Sequence, residues 1–292
     1  METAAFIGFG EAASAFAGAA GWRGPARAFD LKLIEPGTRD AIVAAAAAAR
    51  VAVVGSGAEA VAGAALVLSL VTADQALAAA VATAPHLAPG ALYCDMNSVA
   101  PDTKRQAAAL IEGAGGAYVD VAVMAPVHPS QLAVPLLVAG PHAPRAVDEL
   151  SARGFSAVRA LNGPVGTASA IKMIRSVVVK GIEALTAECL LAADAAGVLG
   201  EVLASLDASE RAMPWDARAD YNLDRMMAHG RRRADEMDEV VKTLDALGTG
   251  TAMARGTADR QRAIGALRLS PPPGLDAKLA ALRALPRLRD AA

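Results

Sequence analysis

The sequence predicts a doubly wound parallel α/β sheet followed by a smaller all-α domain. Three observations carry this expectation. Short β-rich runs alternate with alanine-rich or amphipathic runs through the first half of the chain, the rhythm of repeated strand–helix units. The first run enters a glycine turn and then a helical stretch, "AAFIGFGEAASAFA" at residues 4–17. From Gly163 onward the alternation stops and helix follows helix, beginning with "SAIKMIRSVVVKGIEALTAECLLAADAAG". The expected domains are therefore residues 1–161 and 162–292.

Seven strands are read in order: "AAFIGF", "ARAFDL", "VAVVG", "ALVLSLV", "ALYCDM", "AYVDVAV" and "VPLLVAG". In the second half, "RAMPWDARAD" and "SPPPGL" punctuate the helices, and a short charged helix is expected to close the chain. Of the 292 residues, 54% are hydrophobic and 20% charged, enough to bury a substantial core. Alanine inflates the first figure and aromatics make up only 3%, so closely packed helices with few aromatic anchors are expected.

Several classes are disfavoured. A formal net charge of -2 gives no global attraction to nucleic acid or an anionic membrane. Cys94 and Cys189 lack metal-ligand or CxxC spacing and read as buried thiols of a reducing compartment. No basic segment precedes the first apolar run, so a cytoplasmic protein without a signal peptide is expected. Apolar runs such as "AIVAAAAAA" fall short of the ~20 residues needed to span a bilayer.

The opening stretch points to a ligand. A strand, a glycine turn and a helix start bring backbone N–H groups and the positive end of a helix dipole to one place, which suits a pyrophosphate. Gly8 permits the turn, Gly10 removes the side chain that would block phosphate, and Ala13 allows close helix–strand packing. Phe9, Glu11 and Ala12 complete the loop. Asp30 ends the second strand about 20 residues on, where a carboxylate accepts ribose hydroxyls. The expected architecture is thus Rossmann-type, with NAD or NADP as cofactor. Asp30 favours NAD, since it repels a 2′-phosphate, while Lys32 and Arg39 are near enough in sequence to accept one. Val71 and Thr72, closing the fourth run, join the cofactor candidates.

The fifth run leads into "DMNSVAPDTK", where Asn97 is a candidate for both cofactor and substrate and Ser98 for substrate. Further on, "NGPVGTASAIKMIRSVVVKG" places Gly163, Gly166 and Ala168 ahead of Lys172. The order GxGxxA, D-x-N-S-x-x-P-x-T, Y-V-D-V-A-V and G-x-x-G-x-A-x-x-x-K resembles the 3-hydroxyacid dehydrogenase and 6-phosphogluconate dehydrogenase superfamily, over residues 4 to about 185. That resemblance implies that Lys172 is the acid/base of hydride transfer. The chemistry is sound on its own terms: a secondary alcohol that gives up hydride must also lose its hydroxyl proton, and a lysine desolvated in a closed cleft can take it.

The chain departs from the family pattern at three places. Ser176 stands where the resemblance implies asparagine, one turn after the lysine. Met124 replaces a serine in the implied substrate segment, "DVAVMA" here, suggesting a less polar or differently shaped substrate. The run "RMMAHGRRRADEMDEV" lacks the lysine–aspartate signature of ordinary 3-hydroxyisobutyrate dehydrogenases and resembles a bacterial subgroup whose C-terminal domain has no known function. His229, Arg232 and Arg233 in that run are candidates to bind a substrate carboxylate, or they form a solvated helix face.

The leading expectation is an NAD(P)-dependent oxidoreductase acting at the 3-hydroxy or 3-oxo carbon of a small carboxylic acid. The alternatives are a phosphogluconate-type dehydrogenase with Arg231 to Arg233 on the phosphate, an imine reductase, and a non-catalytic dinucleotide-binding scaffold. The resemblance implies that imine reductases often lack the lysine and that the helical domains pair. The apolar long helix likewise predicts a homodimer.

Overall fold

The central strands of the first half are buried on both faces, as a parallel sheet covered by helices on each side requires. The computed structural model describes residues 2–35, 37–210 and 212–283. The chain divides into two units, Met1–Val177 and Val178–Ala292.

The first unit holds an eight-stranded sheet of β1 (Ala4–Ile7), β2 (Ala26–Phe29), β3 (Ala52–Val53), β4 (Leu66–Ser69), β5 (Leu92–Asp95), β6 (Ala117–Val123), β7 (Leu136–Ala139) and β8 (Val158–Ala160). Their order is β3-β2-β1-β4-β5-β6-β7-β8, with β1 to β6 parallel. The order reverses at β1, which lies between β2 and β4.

Alternate strand residues feed two cores. Phe6, Leu68, Leu92 and Val119 face α1 (Glu11–Ala17), α2 (Arg39–Ala48) and α6 (Ala143–Ala152), while Ile7, Val67, Tyr93 and Tyr118 face α3 (Gly57–Val61), α4 (Ala76–Thr83) and α5 (Pro101–Gly113). Alanines at helix faces, among them Ala13, Ala46, Ala80 and Ala107, allow the close approach expected from the composition. Cys94 lies in this core, and burial pushes its thiol up to about 12, which keeps it unreactive.

Two features depart from the expected parallel sheet of seven strands. Strand β7 pairs antiparallel with β6, and β8 then runs parallel to β7. The segment between β6 and β7 contains Pro126, Pro129 and Pro135 and has only a short 3-10 turn, Gln131–Ala133. A parallel return needs a crossover that is usually helical, and this segment cannot build one. The strand missed by the sequence reading, β8, has three residues, two of them exposed, and no apolar alternation to reveal it.

The chain passes into the second unit within α7 (Thr167–Ala195) and continues through α8 (Leu199–Ser209), α9 (Trp215–Leu247), α10 (Ala252–Gly265) and α11 (Leu275–Arg283). The carboxylate of Glu188 on α7 caps α10, accepting the N–H groups of Met253 and Ala254 at 2.9 and 2.8 Å. Ala192, Val241, Leu244 and Ala254 form the small core beside it. Lys278 is nearly buried between Asp220 at 2.7 Å and Asp224 at 3.4 Å, which ties α11 to α9. No helix among the described residues is long and apolar enough to cross a membrane.

Candidate active site

Gly8 ends β1 with φ +86, and a Cβ there would sit 2.5 Å from the carbonyl oxygen of Leu70. Only glycine fits on both counts, so this turn brings the end of β1 directly against the residues after β4. This is the switch point of the sheet, where open α/β sheets hold ligands. Gly10 is the N-cap of α1, with open space where its side chain would be and no side chain capping the helix. An anion seated there meets the first N–H groups of α1, those of Glu11 and Ala12. Ala13 is fully buried and lets α1 lie on the sheet, while Phe9 turns its ring inward, edge-on to Phe6 at 5.7 Å.

Asp30 fixes this loop from the neighbouring strand. Its Oδ2 accepts the Phe9 N–H at 2.7 Å and its Oδ1 the Lys32 N–H at 2.9 Å. An ionised carboxylate has lone pairs left after two such bonds, enough for ribose hydroxyls. Arg39 donates to the carbonyl of Leu33 at 3.0 Å. The residues present therefore fit a dinucleotide: an open glycine, an uncapped helix start and a carboxylate anchored one strand away.

Next along the strand ends, Asn97 is buried, with one hydrogen bond on each side of its amide and a further N–H and lone pair beyond these. Its Oδ1 accepts the Val71 N–H at 2.7 Å, and its amide donates to Ser69 Oγ at 3.0 Å. It thereby joins the loops after β4 and β5. Thr72 is exposed beside Val71. Ser98 is exposed as well, and its hydroxyl accepts a hydrogen bond from Lys172 Nζ at 2.6 Å. Sequence positions 74 apart thus meet at the carboxyl end of β5. One turn on, the Ser176 hydroxyl donates to the carbonyl of Lys172 at 2.9 Å. Met124 packs against Ala122, Leu137, Ala139 and Ala168, in a small apolar cluster at the start of α7. A cavity of about 670 Å³ also opens against α7, lined by Val165, Ile171 and Ile174, and helical periodicity puts it on a different face from Lys172.

Beneath this surface lies a charged group that the sequence reading did not anticipate. Ser69, Asp95 and Asp120 stand side by side in register on β4, β5 and β6. Two neighbouring carboxylates in a sheet repel one another, and Lys104, fully buried, offsets them. Its Nζ donates to Asp95 Oδ1 at 2.9 Å and lies 3.6 Å from Asp120 Oδ1. Asp95 also accepts the Tyr118 hydroxyl at 2.7 Å and the Asn97 N–H at 3.0 Å. Burial pushes the Tyr118 phenol far above its usual range, so it remains a donor. Asp120 Oδ2 accepts the N–H groups of Gly166 and Ser169 at 3.0 and 3.1 Å, which caps α7 just before Lys172. One signal was available: Lys104, Ala107, Ala108 and Ile111 follow helical spacing, which puts the lysine on the buried face of α5.

His229 and Arg232 are exposed on α9, and Arg232 pairs with Glu236 at 3.2 Å. Arg233 is half-buried, its Nε without a hydrogen-bond partner among the described residues.

A glycine loop at the switch point, a strand-end carboxylate holding it, and a lysine–serine pair along the same edge define a dinucleotide-binding protein of the Rossmann class. Residues 26–161 match the NAD binding domain of 6-phosphogluconate dehydrogenase, and residues 193–264 match a domain of unknown function, DUF1932. A conserved hypothetical protein from Sinorhizobium meliloti 1021 is 40% identical, with 98% of this chain and 97% of that chain covered and a TM-score of 0.59. The same fold is shared by a 3-hydroxyisobutyrate dehydrogenase from Mycobacterium tuberculosis, at 20% identity, 97% and 99% coverage and a TM-score of 0.59. It is shared too by an imine reductase from Myxococcus stipitatus in complex with NADP+, at 17% identity, 96% and 99% coverage and a TM-score of 0.73. No curated protein matches. The chain belongs to the 3-hydroxyacid dehydrogenase and 6-phosphogluconate dehydrogenase superfamily, in the subgroup that joins this NAD-binding domain to a C-terminal DUF1932 helical domain.

Proposed function

We propose that this protein is an NAD-dependent oxidoreductase that interconverts the 3-hydroxy and 3-oxo forms of a small carboxylic acid, with Lys172 as its acid/base. The observation that carries the reading is the 2.6 Å contact of Lys172 Nζ with Ser98 Oγ, on the strand edge that also holds the glycine loop. The nicotinamide ring, when bound, supplies the hydride acceptor or donor. Gly8, Gly10 and the start of α1 hold the pyrophosphate, and Asp30 holds the adenosine ribose. Lys172 Nζ takes the hydroxyl proton as the alcohol is oxidised and returns it in the reverse direction. Ser98 aims that amine, and Met124 gives the substrate an apolar wall. Asp30 favours NAD because its carboxylate, fixed by two backbone N–H groups, repels a 2′-phosphate.

The melting temperature of the whole protein, measured with NADH and with NADPH, tests the cofactor reading. NADH is expected to stabilise more strongly, and Asp30→Ala to narrow the difference. Stabilisation by NADPH alone overturns the preference, and no shift with either nucleotide overturns the function. Turnover is then sought with 3-hydroxy acids and, in parallel, with cyclic imines. Reduction of imines alone reassigns the reaction to C=N bonds.

A homodimer built on α7 belongs to the same proposal. Ile174, Val177, Ile182 and Leu185 on that helix are exposed, Ile174 by 71% and Val177 by 74%, an apolar stripe that water disfavours. Light scattering is expected to return twice the 29.5 kDa chain mass. Val177→Glu is expected to return the monomer.

A further inference from the structure

The crossing of α9 and α10 is made by two glycines. A Cβ on Gly230 would lie 2.5 Å from the carbonyl oxygen of Gln261, and one on Gly265 would collide with the backbone nitrogen of Arg231. With the backbones in contact, Arg231 on α9 and Arg268, three residues after α10, line a single cavity of about 580 Å³ together with His229, Arg232 and Ser270. This volume falls in the range of small-molecule sites.

The charge around this cavity is not balanced from within. Elsewhere in the helical unit Arg218, Lys242, Arg255, Arg262 and Lys278 pair with acidic side chains, while Lys180, Arg225, Arg233, Arg260 and Arg283 have no ion pair among the described residues; what sets the cavity apart is that its bases converge on one space with no carboxylate in the lining. Within the cavity, Arg232 is matched by Glu236. Arg231 and Arg268, both exposed, make no ion pair among the described residues, so neither guanidinium is held by a carboxylate of the lining. Arg268 also adopts φ 52, a left-handed backbone that a non-glycine residue takes at a cost and that gathers at ligand sites.

We propose that this cavity is a binding site for a phosphoryl group, and that the second unit binds a small phosphorylated molecule there. A phosphate monoester carries close to two negative charges at neutral pH and offers three acceptor oxygens, which matches two unpaired guanidinium forks. A single carboxylate satisfies only half of that charge. His229 and Ser270 supply further donors, and Met227, Leu269 and Pro271 line the remainder with apolar contact for a carbon skeleton. The site lies wholly in the second unit and does not depend on the oxidoreductase reading.

The test is calorimetric titration of the whole protein at fixed ionic strength with inorganic phosphate, glycerol 3-phosphate and acetate. Saturable binding of both phosphoryl compounds is expected, with acetate far weaker. Arg231→Gln and Arg268→Gln are each expected to weaken binding about tenfold or more, the loss of one charge-assisted fork, whereas Lys242→Gln on the same helix leaves it unchanged. Phosphate is also attracted to the start of α1, so Gly10→Asp is titrated alongside and is expected to retain binding. Tighter glycerol 3-phosphate identifies an organic monoester as the ligand class, and equal affinity identifies inorganic phosphate. The proposal is overturned by absence of saturable binding, by acetate as tight as phosphate, by undiminished binding in both arginine variants, or by loss of binding in Gly10→Asp. Failure of the nucleotides to stabilise the protein leaves this result untouched.

Discussion

Lys172→Ala is expected to lower turnover about 10²-fold or more while the affinity for the dinucleotide stays within about twofold. The split follows from geometry. Lys172 reaches Ser98 after β5, whereas the groups assigned to the cofactor lie on the loops after β1 and β2. A general acid/base contributes to the transition state and little to binding, so the loss falls on kcat and kcat/KM together. Lys172→Arg is not expected to rescue, since a guanidinium keeps its proton. In both variants the pH–rate profile should lose one limb. A kcat unchanged by alanine would remove Lys172 from the mechanism.

The second large effect is on stability. Lys104→Met should cost about 3–5 kcal/mol, because it strands Asp95 and Asp120 together without a cation in the protein interior. Equilibrium denaturation measures this directly. Asp120→Asn added to Lys104→Met is expected to recover part of the loss: the amide oxygen still accepts from Gly166 and Ser169, and one buried charge is gone. Near-wild-type stability in Lys104→Met would mean that the lysine charge does no structural work. Because Asp120 caps α7 immediately ahead of Lys172, Asp120→Ala should also slow turnover in protein that remains folded.

Local chemistry explains what the sequence disclosed. Gly8, Gly10 and Asp30 form a motif because each answers a backbone demand within one strand–turn–helix unit and the strand beside it. Lys172 stood out through the glycines that start its helix. Asp95, Lys104 and Asp120 were opaque, because their meaning lies in the register of β5 with β6 and in the rotation of α5, neither of which a linear reading carries. Read singly, Asp95 ends an apolar run, Asp120 interrupts one, and Lys104 follows a helix start. The direction of β7 escaped for a related reason: an apolar strand looks the same either way, and only the proline-rich connection before it excludes a helical crossover. Arg231 and Arg268 lie 37 positions apart in the sequence, and the glycine crossing that unites them is invisible until α10 is laid on α9.

The outermost strands of the sheet are also its shortest, two residues in β3 and three in β8. A lateral edge this brief offers an incoming chain scarcely one repeat of backbone pairing, too little to template a growing ladder. For a chain so rich in alanine and valine, these clipped margins are a safeguard against fibrillar self-assembly through the sheet.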